Sequence, residues 1–171
     1  MDVEPVNTYK KPDFPVIPRP NYELLQIALL AIVVILIYSD TLTKPVILDD
    51  IHNIRDNSHI RMTSLSLNNL LRAGFQSPAA DRPIANISFA LNYYFSGLNL
   101  VGFHLINILI HILAGIFLYF FVKATLKTPV LRARFEKCGW VPFFTAFIWL
   151  VHPLQSQSVA YLVQRMNSLA A

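Results

Sequence analysis

Two adjacent carboxylates, Asp49 and Asp50, follow a short apolar run in VILDDIHNIRDN, residues 46 to 57. Carboxylates this close repel when both are ionised, so one holds its proton more tightly unless a cation or a hydrogen-bond donor intervenes. Such a pair suits a general base, and its oxygens equally suit a hard divalent cation. On a helix over residues 48 to 57, Asp49, His52, Asn53 and Asp56 fall at i, i+3, i+4 and i+7, with Ile51 and Ile54 on the opposite flank. The competing reading is a solvated turn, the common fate of charged loop residues.

Two further groups carry polar chemistry in apolar surroundings. His104, Asn107 and His111 recur at i, i+3 and i+7. Without a third ligand nearby they make a poor metal site, and interhelical hydrogen bonding is the simpler role. Arg165 stands inside an apolar stretch, where a guanidinium is expensive and must face protein, water or an anion. Its fork matches a phosphate such as a lipid-linked phosphate at the outer leaflet; an internal acid partner or a snorkelling side chain are the alternatives. The lone Cys138 has no disulfide partner and no metal-ligand spacing.

The elements that must position these residues are membrane helices. Of 171 residues 54% are hydrophobic and only 14% charged, which leaves no room for a separate soluble domain. The net charge of +4 is spread over short segments beside apolar runs, not along the basic stripe that nucleic acid requires. Residues 1–21 hold five prolines and read as an irregular tail. Residues 22–42 form the first span, a retained anchor since the basic start and small-residue site of a cleaved leader are missing. Residues 43–98 form a long loop. Within it TSLSLNNLLRAG predicts a surface helix capped at Thr63 or Ser64 and closed at Gly74, and IANISFALNYYFSG an interfacial helix.

Residues 99–122 form the second span, residues 123–139 a basic loop, and residues 140–153 a short third span ending at His152-Pro153. Residues 155–171 begin a fourth that stops within an apolar helix, as a truncated chain or one half of a split enzyme would. Lys123, Lys127, Arg132, Arg134 and Lys137 against Glu136 make the basic loop cytoplasmic, which puts the tail inside and residues 43–98 outside. Asp49, Asp50 and His152 then share the extracytoplasmic side. The expected architecture is an all-α integral membrane protein with three to four transmembrane helices and a long extracytoplasmic first loop carrying interfacial helices.

Three segments, LDDIHNIRDNSHIR, RPIANISFALNYYFSGLNLVGFHLINILIHIL and WLVHPLQSQSVAYLVQRMNSLAA, occur in an order and spacing that resembles a known family. It is similar to the N-terminal part of the transmembrane and tetratricopeptide-repeat-containing O-mannosyltransferases and their bacterial relatives, members of the GT-C class of glycosyltransferases. The resemblance covers about residues 22 to 171. It implies inverting transfer of a sugar from a polyprenyl phosphate to an acceptor hydroxyl, expected on a Ser or Thr of an exported protein. By motif, Asp49 is the expected base, and Asp50 orients the acceptor or helps hold a divalent cation where one is used. His152 is expected to line the cavity, and Arg165, by its charge, to contact the donor phosphate; His52, Asn53 and Arg82 are supporting candidates.

The resemblance places the chain in a bacterial inner membrane or the endoplasmic reticulum. Its expected partners are the bilayer, the lipid-linked sugar, the acceptor protein and the remaining part of a split enzyme or larger membrane complex, with no nucleic acid. Two departures stand out: the family has many more spans, and no 34-residue helical repeat is present here. The alternative expectation is a non-catalytic membrane subunit of a larger complex.

Overall fold

The computed structural model describes residues 22–135 and 138–169, so the expectations for the tail lie outside the described residues. Every regular element among them is helical. Helix α1, Glu23–Tyr38, continues through a tight turn over Ser39–Thr43. Helices α2, Leu67–Gln76, and α3, Pro83–Ser96, occupy the loop, followed by α4, Leu100–Leu126, and the short α5, Pro129–Phe135. Then come α6, Val141–Val151, α7, Gln155–Ala160, and α8, Arg165–Ser168.

Two stretches, Glu23–Thr43 with 21 residues and Leu100–Leu126 with 27, are long and apolar enough to cross a membrane. At 1.5 Å per residue they reach about 30 and 40 Å. Helix α6 is apolar but has 11 residues, roughly half a bilayer core. Leu24, Leu36, Phe117 and Phe121 stand exposed on the two long helices, as a lipid-facing surface requires.

Five contacts set the directions. Tyr22 stacks near Trp140 with ring centroids 6.3 Å apart, and the Tyr38 hydroxyl donates to the Leu150 carbonyl at 3.3 Å, so α1 and α6 run the same way. Lys123 pairs with Glu23, and the Tyr119 hydroxyl donates to Gln26 Oε1 at 2.7 Å, so α4 runs opposite to both. His104, near the start of α4, bonds the Lys44 carbonyl through Nε2 at 3.3 Å. The loop over residues 44–99, the end of α6 and the segment beyond it therefore gather at one end of the bundle. Leu30, Val34, Ile108, Phe143, Ala146 and Leu150 form the core between the three helices. Gly115 permits the α4–α6 approach: a Cβ there would lie 2.5 Å from Leu150 Cδ2.

A second core, with Ile54, Ile60, Ala73, Phe89, Phe103, Leu162 and Met166, binds the loop to the start of α4 and to the last described segment. Helix α2 begins two or three residues later than its sequence suggests. Its cap is Ser66, whose Oγ accepts the Asn69 N–H at 3.2 Å, while Ser64 is drawn to the Asn69 side chain. Gly74 lies inside that helix and packs against Ile87 and Pro83, so the helix runs on to Gln76. Pro83 opens α3 at a position that needs no N–H, and Gly97, at φ 59, closes it.

The stretch expected to open a further span is not one continuous helix. Pro153 ends α6, and the backbone turns extended at Tyr161 between α7 and a short turn over Leu162–Gln164 that leads into α8.

Candidate functional site

The acidic doublet sits on a wound turn with two unusual features. Leu48 holds φ at 48, a left-handed value uncommon for a side chain of this kind, and Ile51–Arg55 winds as a π-helix that closes with the Asp56 N–H donating to the Ile51 carbonyl at 2.8 Å. Both features cluster at functional sites in proteins generally. The π winding also changes the face expected for a regular helix. Asp56 pairs with Arg55 at 3.0 Å, His52 is exposed, and Asn53 folds back so that its Nδ2 donates to the Asp49 carbonyl at 2.9 Å.

The turn parts the two acids. Asp50 is 1% exposed, and its Oδ1 accepts the Val163 amide N–H at 2.7 Å. Burial pushes its carboxyl above the usual carboxylate range; bonds to the backbone of Val163, Ile47 and Leu162 oppose this, and the charge of Asp49 adds to it. Asp49 is exposed and opens on a cleft of about 240 Å³, while its amide N–H donates to the Tyr161 hydroxyl at 2.9 Å.

Asn53, Asp81, Arg82, Gln164 and Asn167 also line that cleft. Arg82 lies 3.5 Å from Asp81, and its Nη1 donates to Asn167 Oδ1 at 2.6 Å. Three of the residues singled out from sequence, Asp49, Asn53 and Arg82, thus meet around one open space, while His52 and Asp50 are not among its lining residues. Asp81, Gln164, Asn167 and the bracing Tyr161 were not singled out; Asp81 lies in a loop, and the other three lie in a segment that the sequence presents as the start of a continuous span and that the structure breaks at Tyr161.

His152 is exposed at the end of α6, on the same end of the bundle, where its Nδ1 accepts the Leu154 N–H at 3.3 Å. Arg165 is enclosed. It is 0% exposed, its Nε donates to Asn107 Oδ1 at 2.7 Å, and its Nη2 donates to the Phe103 carbonyl at 2.8 Å and to Asn92 Oδ1 at 3.1 Å. Its guanidinium carbon stands 4.6 Å from the Phe89 ring centroid and 5.7 Å from that of Phe103. Among the described residues neutral oxygens and ring faces, not a carboxylate, surround the charge.

The polar stripe of α4 serves the broken segment. Asn107 Nδ2 faces the carbonyls of Val159, Tyr161 and Leu162 at 3.4 to 3.5 Å. His111 Nε2 bonds the Leu150 carbonyl at 3.1 Å, the acceptor near the end of α6 that the Tyr38 hydroxyl also reaches. Irregular backbone among apolar helices requires such partners.

Among the described residues the doublet does not form a cage for a divalent cation. Asp50 turns away from Asp49, and among the described residues no group of three His, Cys, Asp or Glu side chains converges as a metal site needs.

The chain is 28% identical over 151 residues to protein O-mannosyl-transferase TMTC1 of Mus musculus, covering 84% of this chain and 15% of that protein. It is 32% identical over 142 residues to protein O-mannosyl-transferase Tmtc1 of Drosophila melanogaster, covering 77% of this chain and 15% of that protein. Against protein O-mannosyl-transferase TMTC3 of Homo sapiens it is 26% identical over 161 residues, 88% of this chain and 16% of the relative. The chain therefore spans about a sixth of these relatives' length. No family model and no solved structure matches it.

Proposed function

We propose that this chain, a relative of the TMTC protein O-mannosyl-transferases, forms the acidic extracytoplasmic face of a GT-C glycosyltransferase that uses a polyprenyl-phosphate sugar. The observation that carries the proposal is the division of the doublet: Asp49 opens on a cleft beside Arg82 while Asp50 is committed to the fold. In this reaction the Asp49 carboxylate takes the proton of an acceptor hydroxyl as its oxygen bonds the anomeric carbon. The bond from that carbon to the phosphate oxygen breaks, and the phosphate leaves with the electron pair, so the sugar is transferred with inversion. Arg82 presents a guanidinium to the departing charge. Arg165 acts behind it by holding α3, α4 and α8 in register, and His152 shapes the rim through the turn after α6.

In this arrangement the basic loop is cytoplasmic and the cleft opens to the lumen of the endoplasmic reticulum or to the periplasm. The acceptor is a Ser or Thr hydroxyl of an exported protein, and further helices complete the cavity.

The test is a chimera in which residues 22–169 replace the matching segment of Drosophila melanogaster Tmtc1. Mannosyl transfer from a polyprenyl-phosphate mannose to a Ser/Thr peptide is followed in membranes. Asp49→Asn is expected to lower transfer by about 10²- to 10⁴-fold, the usual worth of a general base, with unchanged thermal unfolding. Transfer by this variant at the rate of the unmutated chimera would overturn the assignment, and an inactive unmutated chimera would favour a non-catalytic membrane subunit.

A further inference from the structure

The long loop carries a second polar cavity, of about 180 Å³, that shares no lining residue with the acidic cleft. His59, Arg61, Asn69 and Arg72 line it together with Ser58 and Thr63, where the turn over Ser58–Ile60 meets the start of α2. Its floor is fixed. Ile60 and Met62, on either side of Arg61, are buried in the second core, and Asn57 Oδ1 accepts the His59 N–H at 3.0 Å. The Arg61 Nη2 donates to the Arg55 carbonyl at 2.6 Å, which holds the exposed guanidinium in place without neutralising it.

The charge in this cavity has one sign. Asp56 is taken by Arg55 and Asp81 by Arg82, and among the described residues no carboxylate pairs with Arg61 or Arg72. His59 adds an imidazole whose Nδ1 is enclosed with no hydrogen-bond partner among the described residues. Two guanidiniums beside hydroxyl and amide donors, with no acid in the lining, suit an anion, and their planar forks match phosphate oxygens. The volume lies below the roughly 300 Å³ at which pockets for whole drug-sized ligands begin, so the cavity takes a headgroup.

The neighbouring face of α2 selects the source of that phosphate. Leu67, Leu71 and Phe75, at i, i+4 and i+8, stand exposed in a row beside Arg72, while Ala73 and Gly74 turn inward. A free anion or an acidic peptide would satisfy the arginines and leave this row in water; a phospholipid covers both. We infer that the cavity binds the phosphate of an anionic phospholipid in the leaflet on the side of the long loop, with Leu67, Leu71 and Phe75 entering the acyl boundary. The inference rests on the membrane embedding of α1 and α4, which the loop joins, and not on the glycosyltransferase chemistry.

The experiment reconstitutes the full chain and measures phosphatidylglycerol against phosphatidylcholine bound per protein by native mass spectrometry, with flotation of proteoliposomes as the control for insertion. Arg61→Gln/Arg72→Gln is expected to lower the preference for phosphatidylglycerol about tenfold or more, since each basic residue at an anionic surface contributes about a factor of five. Arg61→Lys/Arg72→Lys should retain most of it, which separates loss of charge from loss of fold. Leu67→Ser/Leu71→Ser, with both arginines intact, should also weaken lipid retention. Equal preference in the Gln variant and the parent overturns the inference. So does undiminished retention in the Ser variant, or displacement of the lipid by inorganic phosphate or by a polyglutamate peptide, because the site would then recognise a soluble anion or an acidic protein. Failure of the parent to float with vesicles overturns the embedding on which the inference rests.

Discussion

The Asp50 carboxylate accepts the Val163 amide at 2.7 Å, joining positions 113 apart in the chain. The bond fastens the start of the long loop to the turn that precedes α8, just where the backbone of the last segment has left the helical ladder. Beside it the Tyr161 hydroxyl accepts the Asp49 N–H. The broken segment and the acidic turn therefore hold each other, and the exposed carboxylate of Asp49 is positioned by a buried neighbour.

Asp50→Ala should destabilise the protein by about 1 to 3 kcal/mol, because the Val163 N–H loses its acceptor in a buried place. Asp50→Asn, which keeps an acceptor oxygen, should cost less. Denaturant unfolding in detergent checks both. A loss for Asp50→Ala no larger than that for Asp49→Ala, at an exposed position, would mean that the bond does not anchor the turn.

The same carboxyl predicts the direction of a pH effect. Burial raises its pKa above the ordinary value of about 4, so the folded protein keeps a proton that the unfolded chain has already released. Folded protein then binds more protons than unfolded protein across that interval, and stability from this group falls as pH rises from about 4 through the raised value. Thermal unfolding followed over acidic pH should show this slope in the parent and its loss in Asp50→Asn. A slope that survives the substitution would assign it to other groups.

Much of this architecture was legible from sequence and some was not, for a common physical reason. The two long helices announce themselves because their apolar character needs no distant partner, although α4 runs four residues past the expected end, through Lys123 to Leu126, since nothing breaks it before Pro129. Asp49 and Asn53 were recognisable as candidates by type and spacing, and Arg82 only through the family resemblance. The break at Tyr161 was not visible, because what permits it is supplied from far away: Asp50 for the Val163 N–H, and Asn107 for three carbonyls. The division of labour within the doublet was hidden for the same reason, since it depends on an amide that lies beyond α6 and α7.

Gly115 should tolerate no side chain while Leu150 remains. A Cβ would stand 2.5 to 2.7 Å from three atoms of the Leu150 side chain, so Gly115→Ala forces that whole side chain to move, at about 1 to 3 kcal/mol. Leu150→Ala alone opens a cavity, but the pair should lose less than the sum of the two single changes because each relieves the other. A double-mutant cycle by unfolding measures the difference, and strict additivity would show that the α4–α6 contact is not close at this point.

Arg165 provides the sharpest separation between an organising cation and a phosphate ligand. Its fork satisfies Asn107, Asn92 and the Phe103 carbonyl at once, and its plane lies against Phe89. Lysine offers one compact charge on a flexible stem and cannot reproduce that geometry. Arg165→Lys and Arg165→Met should therefore both destabilise the fold by at least about 2 kcal/mol, as buried acceptors lose their donors. An arginine whose task is to bind the donor would behave otherwise: Arg165→Lys would unfold like the parent while raising the KM for the lipid-linked sugar in the chimera. Arg82→Gln is the counterpart, expected to weaken donor use and to leave unfolding within about 0.5 kcal/mol, since its side chain is 39% exposed at the cleft. Finding the two behaviours exchanged would move the phosphate contact from Arg82 to Arg165.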